Sequence, residues 1–360
     1  MPDQWMDQAT EIRDGEELPI ARLEAFLLSQ IPDTQGPLVV EQFPSGFSNL
    51  TYLLRLGAQQ LVLRRPPFGA NIKSGHDMSR EYRILSGLIQ TYSKVPRPLL
   101  YSEDESLIGA PFYVMERVEG VILRPKMPKA MHPSAQQMRG IAEALVNTFV
   151  ELHQTDYQAA GLGELGRPEG YITRQIGGWT KRYLKAKTDE IPEMENVAQW
   201  LADHLPQEQA PSLIHNDFKY DNIVLDAQDW TRVIAVLDWE MATIGDPLMD
   251  LGTSIGYWVD PDDPPIMSQL RLSPTTLAGN PTRSEIVQMY AQKSGRDLDQ
   301  VVFYYAYGLF KIGVIVQQIY ARYKKGLTKD PRFAALIHAV KACAQMASRA
   351  TELNRIDRLL

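Results

Sequence analysis

A chain of 360 residues, 22% charged and 44% hydrophobic, has the balance of a globular protein and the length for one large core or two domains. Its formal net charge of -7 argues against a general nucleic-acid-binding surface, which favours basic residues. Cys343 is the only cysteine, so an internal disulfide is excluded and a reducing compartment fits. The start, Met1 to Gln30, is polar and charged and lacks the apolar core of a signal peptide. A cytoplasmic protein without a membrane role is the expectation.

In chain order, the first third reads as β-rich. Leu38 to Val40, Leu50 to Leu56 and Gln60 to Arg64 are short β-type runs separated by turn residues such as Pro44, Gly46 and Gly57. A helical pattern covers Arg80 to Ile89, and Pro111 to Val118 reads as a further strand. From there the pattern turns helical. Ile141, Leu145, Phe149 and Leu152 form one apolar stripe. Helices are expected over Ser284 to Lys293, Val301 to Lys324 and Arg332 to Ala350. The apolar stretch Val301 to Val316, interrupted by Lys311, is shorter than a membrane span and reads as a buried helix. The fold class is α+β: a small β-rich lobe with one main helix over residues 1–116, then a larger helical lobe over 117–360.

One segment concentrates the chemistry. His215, Asp217, Lys219 and Asn222 stand just before an apolar run, Ile223 to Leu225, and a second run, Val233 to Leu237, ends on Asp238. If the runs pair antiparallel, Asn222 and Asp238 meet at one edge of the hairpin, with Asp217 on the loop entering it. Such oxygen donors suit Mg²⁺, which takes few protein ligands and completes its shell with substrate phosphates. Asp238 would bridge metal and nucleotide, and Asn222 would hold a second metal position. Asp217 would accept or orient an acceptor hydroxyl, and Lys219 would neutralise charge on the transferred phosphoryl group. The competing reading is an unrelated polar turn beside a hairpin.

His-x-Asp-x-Lys-x-x-Asn followed by a strand ending in Asp resembles the catalytic and metal-binding loops of protein-kinase-like enzymes. With Ile244-Gly-Asp-Pro-Leu-Met-Asp-Leu-Gly252 close behind, it resembles the aminoglycoside phosphotransferase family over nearly the whole chain. That resemblance implies a two-lobed protein-kinase-like fold using ATP and Mg²⁺. It also implies supporting roles. Ser45, Gly46, Ser48 and Asn49 would form a phosphate-covering loop, and Arg64 would contact phosphates where the family usually carries lysine. Arg and Lys are not equivalent at such a site, and a solvated strand end is the alternative. Glu81 shares a helical face with Ile84, Leu85 and Leu88, so its carboxylate needs a partner, by resemblance Arg64, or lies at the edge of the stripe. Backbone groups around Glu116 and Val118 would grip adenine. Asp246 and Asp250 would brace the catalytic loop, and His215 would orient it or, less readily, act as a base.

Only Trp239 to Gly245 separates Asp238 from Asp246, too little for a peptide-docking segment, so the acceptor is expected to be a small hydroxylated molecule. Asp260, Asp262 and Asp263 would suit a polycationic aminoglycoside, or form a solvated loop. Arg174, Lys181, Arg182, Lys185 and Lys187 around Trp179 and Tyr183, with Arg322, Lys324 and Lys325, would suit an anionic acceptor, or form a solvated face. Gly161 to Gly170, Arg174-Gln175, Trp179 and Val62 to Pro67 resemble the branch whose kinase domains accompany acyl-CoA dehydrogenases, which implies a hydroxyacyl-CoA acceptor. Aminoglycosides, choline-like alcohols and sugars remain alternatives, as does a nucleotide-binding pseudokinase scaffold. The retention of Asp217, Lys219, Asn222 and Asp238 favours an enzyme.

Overall fold

Short apolar runs near the N-terminus build an antiparallel sheet whose central strands are buried along most of their length. The computed structural model describes residues 6–44, 49–68, 77–125, 131–270, 273–328 and 331–359. The chain divides into two compact units that are discontinuous in sequence. One takes Met1–Ile122, Asp156–Leu162 and Ile223–Ala242; the other takes Leu123–Thr155, Gly163–Asn222 and Thr243–Leu360.

The first unit opens with helix α1 (Ile20–Gln30) and strands β1 (Leu38–Gln42), β2 (Leu50–Leu56) and β3 (Gln59–Arg65). Helix α2 (Met78–Leu88), strand β4 (Pro98–Ser102), the short helix α3 (Glu105–Ile108) and strand β5 (Phe112–Glu116) follow. The sheet order is β1-β2-β3-β5-β4, every neighbour antiparallel. Leu54, Leu56, Leu63, Phe112 and Val114 of the sheet share one buried cluster with Leu23 and Leu27 of α1. Asp77 starts α2 by accepting from the Arg80 amide at 3.0 Å. A second sheet, the hairpin β7 (Ile223–Leu225) and β8 (Val233–Val236), belongs to this unit although it comes a hundred residues later in the chain. Val121 and Leu225 exchange backbone hydrogen bonds of 2.8 Å, and Val236 N–H donates to Lys94 O at 2.8 Å. Val224 and Ala235 close a small core with Ile122.

The second unit is helical: α4 (Ala135–His153), α5 (Tyr171–Ala186), α6 (Pro192–Asp203), α7 (Pro247–Gly256), α8 (Pro265–Leu270), α9 (Arg283–Ser294), α10 (Val301–Lys324) and α11 (Leu336–Leu353). A two-stranded ribbon pairs β6 (Ser212–Ile214) with β9 (Thr243–Gly245). Reciprocal bonds between Ser134 and Gln137 cap α4, and Thr282 with Glu285 does the same for α9. Crossing of α7 and α10 is possible only because both are glycine there. A Cβ on Gly252 would lie 2.1 Å from Tyr304 O, and one on Gly308 would lie 2.0 Å from Gly252 O. At 24 residues, α10 is by length and composition able to cross a membrane, longer than its first apolar stretch implied, yet 78% of its most apolar window is buried within the protein. It is packed by α7, α5, α6 and α11.

Candidate functional site

The residues singled out by sequence fall into two groups, one in each unit. In the first unit, antiparallel pairing sets Arg64, near the end of β3, opposite Thr51 and Tyr113. Its guanidinium makes a buried ion pair with Glu81 of α2, as the helical stripe required. The same guanidinium donates through Nη2 to Asp238 Oδ1 at 3.0 Å and lies 3.5 Å from Glu240 Oε2. Asn49 donates to that Glu240 oxygen at 2.6 Å. Burial pulls the Arg64 guanidinium down, but Glu81, Asp238 and Glu240 hold it charged, well above its ordinary range. Burial pushes the Glu81 carboxyl up while Arg64 pulls it back. Asp238 has φ 66°, in the left-handed region, and follows the end of β8 by two residues. Arg80 secures the turn beyond it, donating to Glu240 O at 3.2 Å and Ala242 O at 2.6 Å.

The outer parts of the expected nucleotide site are less telling. Ser45, Gly46 and Ser48 lie outside the described residues, and Asn49 is buried. Glu116 ends β5 opposite Leu61, and its N–H is used by Arg97 O at 2.9 Å. Val118 packs against Ile122, Val224 and Ala235.

In the second unit, the loop between β6 and β7 carries the catalytic-type motif. Asp217 Oδ2 accepts from Lys219 Nζ at 2.6 Å and from Asn222 Nδ2 at 2.9 Å. Asn222 Nδ2 also donates to Asp217 O at 2.8 Å, which turns the amide oxygen of Asn222 the other way. Lys219 Nζ sits 4.7 Å from the Tyr257 ring, and burial together with the Asp217 carboxylate pushes the Tyr257 phenol well up. The hairpin pairs as expected, with Ile223 opposite Val236, so Asn222 is the residue that enters β7.

The loop's shape comes from α7. Asp250, fully buried, accepts from the amides of His215 at 2.6 Å and Asn216 at 2.7 Å. Its Oδ2 lies 3.3 Å from His153 Nε2, and His153 Nδ1 lies 2.7 Å from the Tyr290 hydroxyl. Burial pushes the Asp250 carboxyl up, yet the hydrogen bonds from His153 and from the His215 amide outweigh it and hold it down. Burial holds His153 below its usual range, so a neutral ring donates to Asp250 and accepts from Tyr290. Asp246 caps α7 by accepting from Leu248 N–H at 2.8 Å and ties in Gln209 N–H at 2.8 Å. Both aspartates therefore brace their loops.

Sequence reading missed three residues here: Glu240, Tyr257 and Lys311. Glu240 carried a weak signal, a carboxylate two positions after Asp238. Lys311 carried a stronger one, a lone cation in an apolar helix, and it proves to be buried with Nζ 2.9 Å from Asn216 O.

Elsewhere the acidic stretch needs correction. Asp260 and Asp263 are neither a solvated loop nor a surface for a polycation. Both are buried against the fully buried Arg283, whose Nη2 donates to Asp263 Oδ1 at 2.7 Å. On the basic side, Lys187 pairs with Glu190 and Glu195, and Arg174 bonds backbone carbonyls of Glu169 and Arg167. Arg182 lies over Trp179 at 4.6 Å, while Lys181 and Lys185 are exposed.

Comparison with known proteins places this geometry. Residues 39–276 match the family model described as the phosphotransferase enzyme family, APH. The chain is 36% identical to acyl-CoA dehydrogenase family member 10 of Mus musculus over 95% of its own length and 31% of that protein's, so it spans about a third of this relative. Among solved structures, a provisionally assigned aminoglycoside phosphotransferase of Ralstonia eutropha aligns at a TM-score of 0.78 and 32% identity, covering 94% of this chain and 99% of that one. The aminoglycoside phosphotransferase APH(2")-IIIa, solved with GDP and kanamycin, shares the fold at a TM-score of 0.61 and 16% identity, covering 89% and 97%. A small antiparallel-sheet unit, a helical unit and the loop carrying Asp217, Lys219 and Asn222 thus make this chain a member of the phosphotransferase enzyme family, with its kinase-like α+β fold.

Proposed function

We propose that the protein transfers the γ-phosphoryl group of ATP to a hydroxyl of a hydroxyacyl-CoA. The observation that carries the transfer is the Asp217 carboxylate, oriented by Lys219 and Asn222 on a loop whose backbone Asp250 fixes. A carboxylate held this way can accept a hydroxyl proton as the acceptor oxygen attacks. Lys219, the nearest cation, offsets charge on the transferred group. Arg64, kept charged by its carboxylates, would contact nucleotide phosphates once nucleotide competes for it.

Magnesium fits the donor set. Among the described residues no group of three or more His, Cys, Asp or Glu forms a metal cage, and Mg²⁺ in phosphoryl transfer needs no such cage. Asp238 on the first unit and, separately, the amide oxygen of Asn222 on the second are the proposed ligands, and the ion would neutralise phosphate charge. What supports a hydroxyacyl-CoA as the acceptor is the similarity to a relative named for acyl-CoA dehydrogenation. Phosphorylating a hydroxyl makes it a leaving group, a route from a hydroxyacyl to an enoyl thioester. Burial of Asp260 and Asp263 leaves only Asp262 exposed of the acidic stretch that favoured an aminoglycoside.

The test is acceptor-dependent ADP release with Mg-ATP across hydroxyacyl-CoAs, aminoglycosides and choline. Release with a hydroxyacyl-CoA, and phosphate mass on the product, is expected. Release only with another acceptor overturns the substrate, and none with any overturns the transfer. Asp217→Ala should lower turnover roughly 10²–10⁴-fold with nucleotide binding retained by calorimetry.

A further inference from the structure

Among the buried titratable groups outside the motif, one is placed to control it. Lys311 belongs to α10, far in sequence from the catalytic-type loop, and its side chain ends on that loop. The Nζ donates to Asn216 O at 2.9 Å and to Asn216 Oδ1 at 3.3 Å, and lies 3.4 Å from Thr253 Oγ1 of α7. An ammonium has three donors, and three acceptors meet it. Asn216 itself stands at φ 67°, a left-handed conformation that asparagine reaches more readily than most residues with a Cβ, but still at a cost that glycine does not carry. Its N–H is held by Asp250 Oδ1, its carbonyl by Lys311, and its side chain by both Lys311 and the Tyr171 hydroxyl of α5, to which Nδ2 donates at 3.3 Å. The carbonyl of Asn216 shares a rigid peptide plane with the amide nitrogen of Asp217, so fixing that oxygen fixes where Asp217 begins.

We propose that Lys311 is a positioning residue for phosphoryl transfer: its ammonium clamps the Asn216 carbonyl, locks the left-handed turn before Asp217 and so aims the Asp217 carboxylate at the acceptor hydroxyl. This rests on the transfer reading above. A buried lysine is an expensive way to fill an apolar helix, since Met or Leu would pack there without a charge to desolvate. The groups that face it are Asp250 of α7, Asp217 and Lys219 of the loop, Arg182 of α5, and the Trp179 ring 5.8 Å away. Burial pulls its ammonium down to about 8, with Asp250 and Asp217 resisting and Lys219 and Arg182 assisting. The clamp is then charged at neutral pH and released at alkaline pH.

The experiment compares wild type, Lys311→Met, Asn216→Gly and the double variant by acceptor-dependent ADP release, with a crystal structure of Lys311→Met. Glycine takes the left-handed turn without help and keeps both backbone contacts. Expected are a kcat at least tenfold lower in Lys311→Met with the ATP KM within about twofold, and Asn216 displaced from its left-handed turn. In the Asn216→Gly background, Lys311→Met should lose much less. Wild-type kcat should fall as pH rises through about 8, less steeply in Asn216→Gly, a comparison that needs no folded Lys311 variant. Unchanged kcat in Lys311→Met, an equal loss in both backgrounds, or identical pH profiles for wild type and Asn216→Gly would overturn the clamp. Wild type inactive on every acceptor overturns the transfer reading instead, and the crystal structure then decides the clamp by whether Asn216 moves.

Discussion

Among its described residues the helical unit buries two cations, Arg283 and Lys311, and surrounds them differently. Arg283 lies between Asp260 and Asp263, and also donates to Trp258 O at 2.8 Å and Ile356 O at 2.9 Å. Burial pulls its guanidinium down, but Tyr305 and the two carboxylates push it well above its ordinary range. Among the described residues Lys311 bonds only neutral oxygens, with Asp250 and Asp217 acting through space, and burial pulls it down to about 8. A buried cation neutralised by direct contact is fixed in charge and serves as an anchor. One held by carbonyls and a hydroxyl can lose its proton near physiological pH, and sits where the proton matters.

The sharpest way to break this comparison is to remove each cation. Arg283→Met leaves two buried carboxylates without a partner and should destabilise the protein by about 3–5 kcal/mol in denaturant melts. A loss under about 1 kcal/mol would show that Arg283 is no anchor. Next in size is a pH effect on Lys311. Its pKa is about 8 in the fold against 10.5 for a free lysine side chain, so between these values the unfolded chain binds more protons and stability rises with pH. The gain should be on the order of 3 kcal/mol and absent in Lys311→Met, whereas activity falls over the same window. Stability and activity moving together would refute the assignment.

Smaller effects separate the partners of Arg283. Asp263 makes the paired bonds to Arg283, so Asp263→Asn should cost about 2–3 kcal/mol. Asp260 is different. Burial raises its carboxyl to about 6, with Arg283 pulling the other way. The fold then favours its protonated form, so its contribution is fully present below its unfolded pKa and lost as pH rises through about 6. Asp260→Asn should flatten the stability profile between about pH 4 and 6 with little net loss at neutral pH. Equal losses from the two asparagine variants would mean that the carboxylates share Arg283 evenly.

Much of the fold was readable without coordinates. Strands β1, β2, β3 and β5, helices α2, α9 and α10 and the β7–β8 hairpin lie where period and turn residues put them. Helix α7 was not readable as a helix, because its residues are buried all round and leave no polar face to set a period. Strand β4 begins on Pro98 in a proline-containing stretch and pairs through a register shift, which blurs alternation. Of the site, the loop of Asp217, Lys219 and Asn222 and the partner of Glu81 were legible, since reaction chemistry and the cost of a carboxylate on an apolar face constrain local sequence.

By itself, then, the sequence determined the family and the α+β class and supplied the residues proposed to react, because these depend on residue types a few positions apart. Only the tertiary structure decided which charges are buried and what they touch. It took Asp260 and Asp263 from a surface hypothesis to the partners of Arg283, added Glu240 to Arg64, and brought Lys311 to the carbonyl before Asp217. Desolvation and hydrogen-bond geometry depend on neighbours from distant parts of the chain, and no local pattern records them.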